Sequence, residues 1–411
     1  MSRNPEVKNR ESIVEDITCW STTLAVVLPV VSIAGASICL SLSIIGFLIL
    51  KAQQRNFQVN FPPIQLPLTF FMVSTLVALA FSPEPGIGLP PINKFWLFAV
   101  IPLICSLFTE RLVLRTYHFL FVLALLAALR SIYQSLHYLS KGWFRTTGFM
   151  GHWMTFSGEL MLVFIALVAY VYILRPRRAL VWTALACVLG VALAFTFTRS
   201  VWIATIVGLF CILAMGRLNW KMLMVVLCTL AVLLAIPGPF QRRFVSLWDS
   251  SDPSNYARRA IWKAGLKMIE AHPLTGVGPQ RVSKVFYDYH DHPEDRYRDG
   301  FYPVHLHNNI LQFAAERGIP CAVAWLWLMV KIGMDHWKNY RRSLGDAAKQ
   351  TICAIGFITV VVLFVAGQFE FNFGDSEVLI IFLFLVTAPY VLTTSRSFRP
   401  PRESSAPAHQ E

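Results

Sequence analysis

Charged residues are scarce in this chain. Asp, Glu, Lys and Arg make up 14% of 411 residues, against about 25% in an ordinary soluble domain. Hydrophobic residues reach 55%. Over so long a chain this excludes one large water-soluble core and points to a polytopic membrane protein. Acidic residues are the scarcer sign, 23 against 36 Lys and Arg, giving a net charge of +13. In a soluble protein that balance would suggest nucleic acid. Here the basic residues are topology markers first, and no nucleic-acid partner is implied. The eight cysteines lie mostly inside apolar runs without CxxC spacing, so neither a disulfide framework nor a zinc site is signalled. A GxSxG elbow, an HExxH pair and a P-loop are also missing, so serine hydrolase, zincin and ATPase readings lose support. No internal repeat is apparent.

What the chain has is apolar runs. A helix crossing the hydrocarbon needs about 20 mostly apolar residues. Such runs occur near 24–50, 64–82, 94–109, 113–137, 157–174, 179–198, 200–215, 220–237, 319–336, 351–371 and 376–394. Basic clusters at Arg175, Arg177 and Arg178, at Arg217 and Lys221, at Lys338, Arg341, Arg342 and Lys349, and in the tail (Arg396, Arg399 and Arg402) fall on one side if the spans alternate. That side is expected to be cytoplasmic. The first run is long for one span and contains Pro29 and Gly35. Read as a tight pair of short helices starting near Ile17, it gives twelve spans; read as one, it gives eleven and an outside N-terminus. The twelve-span reading divides the chain into a cytoplasmic tail (1–16), membrane helices (17–237), a large outer loop (238–308), closing membrane helices (309–394) and a disordered cytoplasmic tail (395–411). The expected fold class is therefore all-α, an integral membrane protein with about twelve transmembrane helices and one large loop.

The segment 238–304 is the only long polar stretch, and its aromatic residues argue against disorder. From Ser254 to Ala271, apolar Ala257, Ile261, Ala264, Leu266, Met268 and Ile269 recur at helical intervals. Ser254 or Asn255 is the expected N-cap, and Pro273 with Gly276 and Gly278 the stop. The loop should thus hold an amphipathic helix lying on the membrane's outer face. "GVGP" at 276–279 lacks the spacing of a nucleotide loop and reads as a turn. His290, Asp291 and His292 alternate as metal ligands can, but in a charge-rich stretch that reads as a solvated loop.

Candidate chemistry gathers on the outer side. Arg199 sits where two apolar spans meet, against the positive-inside bias, which suggests an anion ligand rather than a snorkelling side chain. Arg258 and Arg259, on the amphipathic helix, suit either lipid headgroups or a diphosphate, since guanidinium forks bind phosphate oxygens bidentately. Arg242, Arg243 and Arg281 are weaker members of that set. His305 and His307 precede a helix expected to begin near Asn308. The positive end of a helix disfavours an imidazolium, and a neutral imidazole is what a general base requires. Glu316-Arg317-Gly318 reads as a break before the span near 319. Arg130, Arg145, His152, Glu159, Glu370 and Asp375 fall towards the same face, and ionisable groups gathered at one membrane face mark a site by default.

The ordered set "FTRSVWIA", "NYARRAIWKAGLKMIEAHPLTGVGP" and "HLHNNILQFAAERGIP", with "RTTGFMGHWMTFSGEL" upstream and "FEFNFGDSEV" near the end, resembles the O-antigen ligase and polymerase superfamily over roughly 140–380. The resemblance implies a twelve-helix inner-membrane glycosyltransferase. It would move a finished glycan from undecaprenyl diphosphate onto lipid A–core on the periplasmic side, without metal, nucleotide or cofactor. It implies His307 as the catalytic histidine. It also implies Arg199 and Arg258, with Arg259 and Arg281 beside them, as donor ligands. His305, Asn308, Arg145 and Asp375 would support them. A polymerase joining lipid-linked repeat units would use the same donor and face with a different acceptor. A transporter, the alternative of a different class, would require polar pairs at the bilayer midplane or broken helices in repeated halves.

Overall fold

A computed structural model describes residues 5–138, 145–216, 252–292 and 303–394, together with positions 241, 242, 245, 246, 249 and 294. Every regular element among them is helical. The first apolar stretch forms two helices, α1 (Pro5–Val27) and α2 (Ile33–Gln54). They are full-length rather than short, and α1 begins inside the segment expected as a tail. Glu, Lys and Arg are good helix formers, so the polar turns extend the apolar ones. Pro29 interrupts the run, and the Ser32 hydroxyl restarts it by accepting from the Gly35 N–H. Between the two helices the Thr22 and Ser43 hydroxyls meet.

There follow α3 (Gln65–Ala80), an apolar run Pro85–Leu107 containing α4 (Leu89–Asn93) and α5 (Val100–Leu107), and α6 (Glu110–Tyr138). Then come α7 (Trp153–Ala169, wound on to Leu174), α8 (Ala179–Phe195) and α9 (Arg199–Met215). The loop supplies α10 (Pro253–Ala271) and α11 (Val282–Tyr289). The chain closes with α12 (Asn309–Arg342), α13 (Ala347–Ala366) and α14 (Ser376–Thr394). Eight helical segments among the described residues are long and apolar enough to cross a membrane, and α3, α8 and α9 are apolar but shorter. The chain is a multi-pass membrane protein. The span expected at 220–237 and the tail 395–411 lie outside the described residues.

The centre of the bundle is α13, which packs on α7, α9, α12 and α14. On α2, by contrast, Ile38, Leu42, Ile45 and Leu48 stay exposed along one face, the pattern of a helix turned to lipid.

The loop carries a small core of its own. Ile261, Ala264 and Met268 of α10 pack with Val277, Val282, Phe286, Leu306 and Ala315. Burying each large apolar side chain contributes roughly 1.5–3 kcal/mol, enough to hold a polar segment in one conformation. The "GVGP" turn then joins this core to the bundle. Pro320 lacks an N–H, so the Glu316 carbonyl has no helical donor. The Ile319 N–H turns away to the Pro273 carbonyl, which frees the Ala315 carbonyl as well. Val277 and Gly278 of the turn donate to these two carbonyls, at 2.8 and 3.0 Å. The break expected at 316–318 is therefore a docking point. Gly318 sits there at φ 82°, ψ 164°, a conformation open to glycine almost alone.

A Cβ at Gly318 would run into the backbone of Leu274 and Thr275, whereas Gly345, also at positive φ, has nothing within 4 Å of that position. Gly318→Ala should therefore lower the unfolding midpoint in detergent by clearly more than Gly345→Ala. The strain at Gly345 costs about 1–3 kcal/mol; Gly318→Ala adds the clash. Equal losses would mean the turn does not dock as described.

Candidate functional site

The site begins at the start of α12. Asn308 is its N-cap, and its side-chain oxygen accepts from the Ile310 and Leu311 N–H groups at 2.9 and 3.0 Å. The amide nitrogen of Asn308 donates to the Gln368 carbonyl at 3.1 Å. Asn309 donates from its side chain to Asn372 (2.8 Å) and from its backbone to the Gly367 carbonyl (2.8 Å). Two adjacent asparagines thus fasten the helix start to the segment after α13. The tight entry leaves His307 at φ 49°, a left-handed conformation uncommon for a non-glycine residue but tolerated by histidine.

That fastening brings Glu370 against both histidines. His307 Nδ1 lies 3.1 Å from one carboxylate oxygen and His305 Nε2 lies 3.5 Å from the other. The two rings are 4.1 Å apart, edge to face. Burial works against an ionised Glu370, but the His307 hydrogen bond and the charges of His307, His305 and Arg258 outweigh it and hold the carboxyl at about 2. Burial dominates for His305, pushing it down to about 4 despite Glu370. The three side chains also offer ligand atoms within 4.8 Å of one another, a set that could hold a metal ion.

The arginines divide by what they already hold. Arg199 is buried, and its terminal nitrogens donate to the Ser246 carbonyl and hydroxyl (2.8 and 2.9 Å), Ser254 Oγ (3.2 Å) and Asn255 Oδ1 (2.9 Å). Asp252 stands 3.6 Å away. Asp252 is also the true N-cap of α10, with Pro253 in the first turn. Ser254 and Asn255, expected to cap, instead hold Arg199. Arg258, one turn further along α10, donates no hydrogen bond among the described residues. Burial, followed by the Arg199 charge, lowers its pKa, while Glu370 and Asp252 oppose that. Arg145 lies over the Trp153 ring at 4.9 Å. Burial and the charges of Arg199 and Arg258 lower its pKa too. These mutual influences put Arg145, Arg199 and Arg258 in one field, and Arg258 and Glu370 act on each other. His152, the N-cap of α7, feels the same group: burial lowers it, Glu370 raises it, and Arg145 and His307 lower it.

Residues 184–326 match the family model described as Wzy_C, O-Antigen ligase. Over that segment, about a third of the chain, the sequence is similar to the O-antigen ligase family. Among curated proteins, none matches the chain. The O-antigen ligase match contains Arg199, α10, His305 and His307 but stops short of Glu370.

Other expected residues stand elsewhere. Arg281 donates to the Val277 carbonyl at 2.8 Å and pairs with Glu84 at 3.3 Å, so it braces the docking turn. Arg259 is exposed, as is Arg242, and Arg243 lies outside the described residues. Asp291 pairs with Lys263 (2.7 Å) and Lys267. Arg130 is exposed and donates to the Gly148 carbonyl at 2.7 Å. Glu159 is buried within α7 with no partner for either oxygen among the described residues. Asp375, just before α14, accepts from Thr155 at 3.2 Å. Burial, with Glu370 and Glu377, pushes Asp375 up to about 7, against the pull of Lys94 and Thr155. The residue that sequence reasoning left without a role is Glu370. Its signal was one of two carboxylates in "FEFNFGD", 63 positions from His307, a separation no local spacing rule bridges.

Two outcomes follow. Arg199→Ala removes charge-assisted hydrogen bonds worth roughly 1.5–3 kcal/mol each, so it should lower the unfolding midpoint in detergent. Arg258→Ala should leave the midpoint within about a degree, since it breaks none among the described residues. For Asp375 the folded pKa lies above the unfolded one, so the folded state holds the proton more tightly and stability falls as pH rises from about 4 through 7. Asp375→Asn should then raise the midpoint at pH 7.5 and give no gain at pH 4. A gain of equal size at both pH values would contradict this linkage.

Proposed function

We propose that the protein is an O-antigen ligase: an inverting, metal-independent glycosyltransferase with twelve spans in the bacterial inner membrane and its site facing the periplasm. It would transfer a glycan from undecaprenyl diphosphate to a sugar hydroxyl of lipid A–core. The observation that carries this reading is the His307–Glu370 pair at 3.1 Å, set beside Arg258 in a chain whose residues 184–326 are similar to the O-antigen ligase family.

Glycosyl transfer from a lipid diphosphate needs no nucleotide, because the leaving group already carries the activation. The acceptor oxygen attacks the anomeric carbon from the side opposite the diphosphate, so the centre inverts. The new C–O bond forms as the bond to the diphosphate oxygen breaks. The acceptor's proton passes to His307 Nε2. Glu370, bonded at Nδ1, orients the ring and stabilises the imidazolium that results. The bond electrons leave with undecaprenyl diphosphate, and preplaced guanidinium groups stabilise that charge as it develops. Arg258 and Arg145 are the ligands this reading favours. Arg199 adds its charge and holds α10, hence Arg258, in place.

The His305, His307 and Glu370 geometry favours a second, metal-assisted reading of the same site. A deletion strain complemented in trans, with lipopolysaccharide resolved on gels, tests the function. His307→Ala should cut glycan attachment by about 10²–10⁴-fold, and Arg258→Ala by about 10²-fold or more, with normal membrane insertion. Lipid-linked polymer should accumulate in both. Single-repeat capping of lipid A–core would instead indicate a polymerase. Transfer by purified protein should survive EDTA; arrest by EDTA and rescue by a divalent ion would replace the base mechanism with the metal-assisted one.

A further inference from the structure

Beside the histidine–glutamate group lies a cavity of about 370 Å³. This is at the small end of ligand sites, which run about 300–1,000 Å³. Its lining includes His305 but none of Arg145, Arg199 and Arg258. Phe95, Phe98 and Phe371 supply apolar ring faces, while Lys94, Ser283 and Asp375 supply polar groups. Ser283 and Val304, both in the lining, are exposed, so the cavity opens at the loop surface.

Its chemistry differs from that of the arginine side. Lys94 donates to the Gly374 carbonyl at 2.5 Å and lies in the field of Asp375, while Arg317 is answered by its neighbour Glu316 and is buried beneath the Phe313 ring at 5.0 Å. A cavity balanced in this way offers a diphosphate little. Its volume is too small for a polyprenyl chain or a polymer. Flat apolar faces with carboxylate, amide and hydroxyl groups between them suit a neutral sugar ring, whose C–H faces are apolar and whose edge carries hydroxyls. His305 forms one wall, and its other side faces Glu370 and His307.

We propose that this cavity is the acceptor subsite, holding about one sugar unit of the acceptor so that its hydroxyl passes His305 to reach His307. The assignment rests on the glycosyltransferase reading above and adds to it a specificity-determining surface made by the 85–99 segment, α11 and the residues before α14. The donor diphosphate and the acceptor sugar then approach the His307–Glu370 pair from different flanks, as an inverting displacement requires.

The test uses the full-length protein in detergent, with undecaprenyl-diphosphate-linked glycan as donor and lipid A–core lacking O-antigen as acceptor. Ser283→Trp fills the mouth from an exposed position, and its unfolding midpoint should match that of the unsubstituted protein. The acceptor KM should rise by about tenfold or more with the donor KM within about twofold. Phe95→Ala should move the acceptor KM the same way. A rise in donor KM instead, or no change in either constant with Ser283→Trp, overturns the assignment. If the protein extends lipid-linked repeat units rather than lipid A–core, the ligase reading fails by itself. The same two constants, measured with the lipid-linked acceptor, then uphold or overturn the subsite.

Discussion

A guanidinium at the first turn of an apolar helix must find acceptors, and Arg199 finds them in the loop. Its four hydrogen bonds to Ser246, Ser254 and Asn255 are the constraint on which the loop end of the molecule depends. The cost of leaving a buried arginine unpaired is several kcal/mol, so α10 is drawn to the start of α9. Asn255 and Arg258 are three residues apart and share a helix face. Holding the one therefore sets the position of the other. Arg258 owes its place beside Glu370 to a bond that it does not itself make.

The second organising feature is how the helices start. The first N–H groups of a helix have no intrahelical partner, and here the caps are also structural clamps. Asp252 caps α10 and faces Arg199; Asn308 caps α12 and grips Gln368; His152 caps α7 and lies in the field of Glu370. Helix starts meeting in one region concentrate positive dipole ends there. A carboxylate among them is favoured in its charged form, and Glu370 is held low in pKa. Asp375, nearby but facing other carboxylates, is pushed the opposite way. Burial disfavours the charged form of both acids; at Glu370 the His307 bond and nearby cations outweigh it, whereas at Asp375 Glu370 and Glu377 add to it and Lys94 offsets only part.

Much of the site was legible in residue order. Arginine at an outer helix boundary is expensive, so Arg199 stood out. Paired histidines ahead of an apolar run stood out likewise, as did the break at Gly318. What escaped was the partner of each. Asp252 replaced Ser254 and Asn255 as the cap because proline at the first helical position suits the residue after a cap. Arg281, a weaker member of the expected anion-binding set, pairs with Glu84, 197 positions earlier. Arg258 and Arg259 are adjacent and chemically alike. The helical rotation of about 100° between them puts Arg258 within the field of Glu370 and leaves Arg259 exposed.

Composition and periodicity by themselves determined the class: apolar runs of spanning length force helices, because backbone groups in hydrocarbon need internal partners. They also determined that chemistry would collect where polar residues cluster. Only the tertiary structure decided which arginine is committed and which donates no hydrogen bond among the described residues, and that Glu370 joins the histidines. Those outcomes hang on contacts between residues 47 to 63 positions apart. Such contacts follow from how whole helices pack, and no local pattern encodes them.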